Sequence, residues 1–321
     1  MKNSYSLAVK IALTYLIVAA QCAQAGPIAS YFGTIGVTVP NTSTEGSGGG
    51  AWTPSNSSVK YAIEDSSAGT FVGPGYGGQP YDLEALYVQT IGAQLLITGV
   101  SGANLTAMPS GTSGTCASGS ACYTFPIGDF FLGTGNTQNV YNSTSPSPSF
   151  TPFIGVEVTG QHYTMSSSGY TTGWDSPLLA GSVVNVDGTN TTSGGFERGL
   201  SNWSYVGSPS QLASSGFTGN SSTRRATVTS EMINGHSAFQ ASINISDLFI
   251  GTSSTFISSL MSGNYIVHWG ELCGNDYIRA AGTAVPEPST LSLIGIGLIG
   301  MLILRAYRRA KIANLMQRPA A

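Results

Sequence analysis

Asp82 and Glu84 stand two residues apart, and carboxylates are the first groups in this chain that could do chemistry. On a strand, residues i and i+2 share a face, with roughly 6–7 Å between their Cα atoms. Two carboxylates at that separation have the inventory of a glycosidase acid/base pair or of calcium ligands. Side chains on one strand point in parallel, however, and do not flank a substrate from opposite sides. The favoured reading is an exposed polar face or loop hydrogen bonding, with ligand or calcium binding second and no catalytic residue assigned. His268, Cys273 and Asp276 offer donors at loose spacing. With 3 His and 4 Cys in the chain, no Cys-x-x-Cys and no His-Glu-x-x-His, no transition-metal site is expected. His162 and His236 read as lone surface histidines. Cys116 and Cys122 could close a short disulfide loop in an oxidising compartment, and pairing of either with Cys273 is equally allowed. Trp174 and Trp203, in Gly/Ser/Asn-rich surroundings, are the candidates for stacking on sugar rings, whereas Trp269 reads as core.

These groups need a scaffold, and the text of the chain points to strands. From Gly26 onward short apolar runs alternate with Gly, Pro, Ser, Asn and Asp. Tyr87 to Thr90 and Leu95 to Thr98 flank a hairpin connection at 91–94. Phe153 to Val158 reads as a strand starting after Pro152, and Ser182 to Val186 as another. Phe239, Ala241, Ile243 and Ile245 alternate on one face with a period of two. Tyr265 to Trp269 reads as the last core strand. No stretch of the middle sustains a 3.6-residue apolar period. The expectation is an all-β fold: a single large β-sandwich, jelly-roll-like, over 26–284, with long Gly/Ser/Asn-rich loops near 41–58, 101–121, 134–150 and 207–223.

Composition narrows the setting. Charged residues are 8% of the 321, against about 25% in ordinary soluble domains, so the surface is wetted by hydroxyls and amides. Between Gly26 and Val285 the only basic residues are Lys60, Arg198, Arg224, Arg225 and Arg279, and acidic residues outnumber them. Binding to nucleic acid needs clustered cations to displace counterions, so no nucleic-acid partner is expected. Residues 1–25 read as a secretory signal: Lys2 and Lys10, an apolar run from Ile11 to Ala20, and the small-x-small site at Ala23 and Ala25. Export through the Sec translocon and removal by signal peptidase follow.

The most specific signal lies at the other end. Pro286-Glu287-Pro288 is followed by the uncharged run Leu291 to Leu304, then by Arg305, Arg308, Arg309 and Lys311. The prolines keep the peptide extended, and the run suits a transmembrane helix over about 289–307. The basic cluster holds the far end, with a cytoplasmic tail at 312–321. In order and content, 285–311 resembles the PEP-CTERM sorting signal that the exosortase system of exopolysaccharide-producing Gram-negative bacteria recognises. The resemblance implies an inner-membrane-anchored precursor, cleavage near the triplet and release to the cell surface or beyond. It makes Pro286, Glu287 and Pro288 the recognition residues. Within the middle, Pro80 to Val88 with Leu95 to Gly99, Gly128 to Phe131, and His268 to Asp276 are similar to segments of PEP-CTERM surface domains, and more loosely to sugar-binding or DOMON-like sandwiches. The functional expectation is a non-enzymatic surface or matrix protein associated with exopolysaccharide and needing no cofactor. The alternative is a carbohydrate-binding or calcium-dependent adhesive module, and a weaker one is a secreted glycoside hydrolase.

Overall fold

The computed structural model describes residues 27–41, 51–63, 83–102, 114–115, 121–122, 128–135, 150–158, 162–166, 169–173, 179–186, 191–192, 211–212, 224–270, 277–285 and Arg305. In chain order the elements are α1 (Ile28–Ile35), β1 (Lys60–Ile63), β2 (Leu83–Ile91), β3 (Gln94–Ser101), β4 (Gly114–Thr115), β5 (Ala121–Cys122), β6 (Phe130–Gly135), β7 (Phe150–Val156), β8 (His162–Ser166) and β9 (Gly169–Gly173). They continue with β10 (Val183–Asn185), β11 (Thr191–Thr192), β12 (Gln211–Leu212), β13 (Ala226–Ile233), β14 (His236–Asn244), α2 (Ile245–Leu248), α3 (Ser254–Ser262), β15 (Ile266–Gly270) and β16 (Tyr277–Ala281). Two antiparallel five-stranded sheets dominate, ordered β1-β2-β3-β14-β13 and β10-β7-β6-β15-β16. Strands with few helices match the all-β expectation.

Turn chemistry sets the register of the first sheet. Gly92 supplies the positive φ (57°) of the two-residue β2–β3 hairpin. Asn234-Gly235 supplies two positive φ angles (53° and 96°) at the β13–β14 turn, the type I′ pattern. Side-chain alternation then sorts the faces. Leu86, Val88, Leu95, Ile97, Phe239, Ala241 and Ile243 of the first sheet join Phe130, Leu132, Ile154, Val156, Val267, Trp269 and Ile278 of the second in one apolar cluster. The opposite face of the first sheet carries Ala85, Tyr87, Leu96, Val100 and Ala238, and the N-terminal segment covers it with Ile28, Phe32, Ile35, Val37, Val39, Trp52 and Val59. At one margin the sheets are tied by backbone: Ala226 N–H donates to Gly181 O at 2.7 Å and Val183 N–H to Arg224 O at 3.2 Å. Arg224 also donates to Asn185 Oδ1 (2.9 Å) and Ile250 O (2.9 Å), which seats the end of α2 against β10.

Four sequence expectations are corrected. Pro152 lies inside β7 rather than before it. β10 pairs only with 154–156, so the missing N–H falls where β7 has no outer neighbour, opposite a register shift at Leu132/Gly133. Tyr265 to Trp269 is not the last core strand, because β16 follows and contributes Ile278 and Ala280. Ile245 stays in the core but opens α2 rather than ending β14. Among the described residues of the middle, three short helices stand where no helical period was read. α3 is bounded by signals visible in the text: Ser253 accepts from Phe256 N–H as N-cap, Gly263 takes φ 74° at the end, and Phe256 and Leu260 form its buried stripe.

The chain divides into two units, Met1–Val285 and Pro286–Ala321. Among the described residues no helix is long and apolar enough to cross a membrane. The run Leu291–Leu304 behind the transmembrane expectation lies outside them, as do the residues 1–25 read as a secretory signal, with Ala23 and Ala25.

A Cβ on Gly99 would fall 2.5 Å from the indole of Trp269. Gly99→Ala should therefore destabilise the body by about 1–3 kcal/mol, the usual cost of overpacking a core. The shift of the urea midpoint at unchanged m-value measures it, and an unshifted midpoint would show that the two sheets are not held at this spacing.

Candidate functional site

Three arrangements bear on function, and the first is the C-terminal margin of the folded body. After β16 the chain runs back along α3: Gly282 N–H donates to Tyr265 O at 2.7 Å and Val285 N–H to Leu260 O at 3.0 Å. The hydroxyls of Thr90 and Thr283 meet at 2.8 Å, and Thr90 reaches Ala284 O at 3.3 Å. Val285 is 1% exposed and belongs to the shared core with Leu260. Pro286, the first residue of the triplet, is the first residue beyond this unit.

The second arrangement surrounds Glu84. Leu83 pairs with Ser101 and Ala85 with Val100, so Glu84 is an extra residue in β2. Such a bulge re-aims side chains. Here it lets Leu83 and Leu86 both face the shared core, while Glu84 lies toward the face covered by the N-terminal segment. There Glu84 Oε1 stands 3.8 Å from His236 Nε2, with the side chains 1% and 0% exposed. Trp52 caps the imidazole edge-on, centroids 5.1 Å apart at 84°, and its carbonyl accepts from Tyr87 Oη at 2.7 Å. Burial lowers the His236 pKa to about 4, against smaller opposing contributions from the carbonyls of Ile233 and Asn234. The imidazole is thus neutral at pH 7 despite the nearby carboxylate. An acid and a base meet here, but beneath Trp52 and out of reach of solvent. The expectation of a solvent-facing Glu84 and a surface His236 is corrected on both counts. Asp82, its proposed companion, lies outside the described residues.

The third arrangement sits on the outer face of the second sheet. Arg279 Nε donates to His268 Nδ1 at 3.1 Å, which requires a neutral imidazole with its proton on Nε2. The guanidinium lies over Phe150 (5.1 Å) and Tyr277 (4.8 Å), a pair of cation–π contacts. His268 and Arg279 are both buried. His268 is structural, as its sequence context suggests, and its proposed companions Cys273 and Asp276 lie outside the described residues. Among the described residues, no group of three or more His, Cys, Asp or Glu side chains could hold a metal ion.

Comparison with known families bears on the first of these arrangements: residues 284–309 match the model of the PEP-CTERM protein-sorting motif. The chain carries a PEP-CTERM sorting motif. No curated protein and no solved structure matches the chain. The PEP-CTERM match starts at Ala284, two residues inside the docked margin, and runs through Arg309. It marks an exported protein that an exosortase system sorts to the surface, with transient retention at the membrane. Pro286, Glu287, Pro288, Arg308, Arg309 and Lys311 lie outside the described residues, while Arg305 is helical and exposed. Trp174, Trp203 and Cys116 also lie outside them, and Cys122 is placed by its backbone, opposite Gly114 in the β4–β5 ribbon. The three middle segments likened to PEP-CTERM surface domains come together: β6 pairs with β15, Trp269 Nε1 donates to Gly128 O at 3.1 Å, and Trp269 rests on Gly99. Asp129 accepts from Val158 N–H at 2.9 Å. The sequence reading missed His236 as the partner of Glu84 and Trp52 as the cover over that imidazole. The one signal available was a carboxylate inside an apolar run, a charge that can be buried only with a partner.

For His236 the sign of the pH dependence follows from a folded pKa of about 4 against 6.5 unfolded. Below pH 6.5 the unfolded imidazole binds a proton that the folded one refuses, so stability falls as pH drops through that window and is level above it. Urea midpoints from neutral pH down to the lower value should show this slope, and His236→Asn should lose it. Equal slopes in both proteins would refute the burial of a neutral imidazole.

Proposed function

We propose that this chain is the precursor of a non-enzymatic surface or matrix protein. Its 26–285 β-sandwich is carried out by the Sec translocon and freed of 1–25 by signal peptidase. The apolar run then holds it at the inner membrane until an exosortase cuts it, and the product joins the exopolysaccharide layer at the cell surface. One observation carries this reading: the folded unit is completed by Val285, immediately before Pro286-Glu287-Pro288 and inside the matched segment 284–309. A processing signal that starts where the core ends can be removed without opening the core.

Two further features support the non-enzymatic part. The Glu84–His236 pair is sealed under Trp52 and acts on the fold rather than on a substrate. The sparsely charged, hydroxyl-rich composition suits a hydrated polysaccharide setting better than electrostatic capture of a polyanion.

Sorting is tested in the producing cell. Glu287→Ala, or loss of Arg308 and Arg309 together, should leave an uncut, membrane-held form and at least a tenfold (~10×) drop in released protein, since each removes a recognition or orientation element. Normal release of both variants would contradict exosortase handling. The role of the body is tested by binding of the released protein to the producer's own polysaccharide, with and without chelator. Retention in the polysaccharide fraction that chelator does not change is the expected result. Saturable binding abolished by chelator would replace it with a calcium-dependent adhesin.

A further inference from the structure

We infer that Gly282–Val285 is a docked stem that confines processing to bonds after Pro288, so that the released protein keeps the whole body and the Pro-Glu-Pro triplet itself. The inference rests on the sorting reading above and adds the position of the cut.

A processing enzyme grips its substrate as an extended strand whose backbone N–H and C=O groups are free to pair with the cleft. Upstream of Pro286 three of those groups are already taken. Gly282 N–H is bound to Tyr265 O and Val285 N–H to Leu260 O. Ala284 O accepts from the Thr90 hydroxyl, which also meets Thr283. Gly263, at φ 74°, lies so close beneath that a Cβ there would come 2.9 Å from Ala284 N. The Val285 side chain is in the core. An extended backbone at these residues would have to give up these contacts, so a cut at or before Val285 requires local unfolding of the body's margin.

The downstream limit comes from the sequence. Leu291–Leu304 contains no charged residue, and a peptide bond held in hydrocarbon is out of reach of water. Of the bonds between, Val285–Pro286 and Glu287–Pro288 are tertiary amides without an N–H. Pro286–Glu287 leaves a single undocked residue ahead of the cut. Pro288–Ser289, Ser289–Thr290 and Thr290–Leu291 remain. In each, the C–N bond breaks as water adds to the carbonyl carbon. The body gains a carboxylate, the membrane remnant gains an α-amine, and nothing is oxidised or reduced.

The remnant reports the bond whatever accepts the acyl group. With an affinity tag after Ala321, the remnant is recovered from membranes of the producing cell and its first residue is sequenced. Ser289, Thr290 or Leu291 is expected. A remnant beginning at Pro288 or earlier, or beyond Leu291, overturns the inference and leaves the sorting reading intact. A chain that is never cut overturns both. The docking is tested on the full chain in detergent with a broad-specificity protease. Val285→Asp places a carboxylate against Leu260 and should raise nicking within 278–285 by about tenfold. Thr90→Val, which loses only the hydroxyl contacts, should raise it by about threefold with the β-sheet signal unchanged. No rise in either variant overturns the stem.

Discussion

The indole of Trp269 lying on the bare backbone of Gly99 is the contact on which the two sheets depend. Trp269 is fully buried and touches Phe130 of its own sheet and Phe239 of the other, with centroids 5.4 Å and 6.4 Å away. Its one polar atom is satisfied by Gly128 O at 3.1 Å, so the largest side chain in the core enters without leaving a donor stranded. Gly99 in turn is flanked in register by Leu86 and Phe239. A side chain at Gly99 would hold the sheets apart, and a smaller one than tryptophan on the other side would leave a cavity. Strands from β2 to β16 take their spacing from this pair.

The outer face of the first sheet poses the opposite problem. It carries Gln94, Thr98, Gln240 and Ser242 as well as apolar residues, and the N-terminal segment covers its apolar part. The polar groups are paired along the face, Gln240 with Thr98 at 2.8 Å and Ser242 with Gln94 at 2.9 Å, so the cover can be apolar without orphaning them. Ala29 N–H reaches Glu231 Oε2 at 3.0 Å, which ties the start of α1 to β13. Glu84 and His236 close the far end of this layer. A carboxylate in that place favours one register of β2, because only the bulge at Glu84 brings it to the imidazole while keeping Leu83 and Leu86 in the shared core.

What the sequence made legible follows the physics of each element. The alternation of Phe239, Ala241 and Ile243 survived intact, because a strand with one face in the core must keep period two. The β2–β3 hairpin was readable for the same reason, and so was the C-terminal constellation, whose three parts each answer to a separate constraint. Glu84 was not readable as buried: a single inserted residue changes which face a side chain takes, and no local pattern announces it. His236 looked solitary because its partners, Glu84 and Trp52, are brought to it only by the folded sheet. α1 escaped because eight residues give barely two turns of periodicity. β16 escaped because Tyr277 and Arg279 face the cation–π cluster and only Ile278 and Ala280 face the core, which resembles no amphipathic pattern.

Local contacts close the described body at both of its margins. At the N-terminal end the Pro27 carbonyl already accepts from Ser30 and Tyr31, and Ile28 is 1% exposed, so α1 begins three residues after Ala25. At the C-terminal end Val285 closes the core one residue before the sorting triplet. The strands that set the core lie between these points. The core contacts described for the body are thus made within 27–285, independently of the sorting triplet. A precursor meant to be trimmed at the membrane needs that independence: if part of the core lay beyond the cut, release would unfold the product. The docking of Gly282–Val285 against Leu260, Tyr265 and Thr90 is the physical form that independence takes.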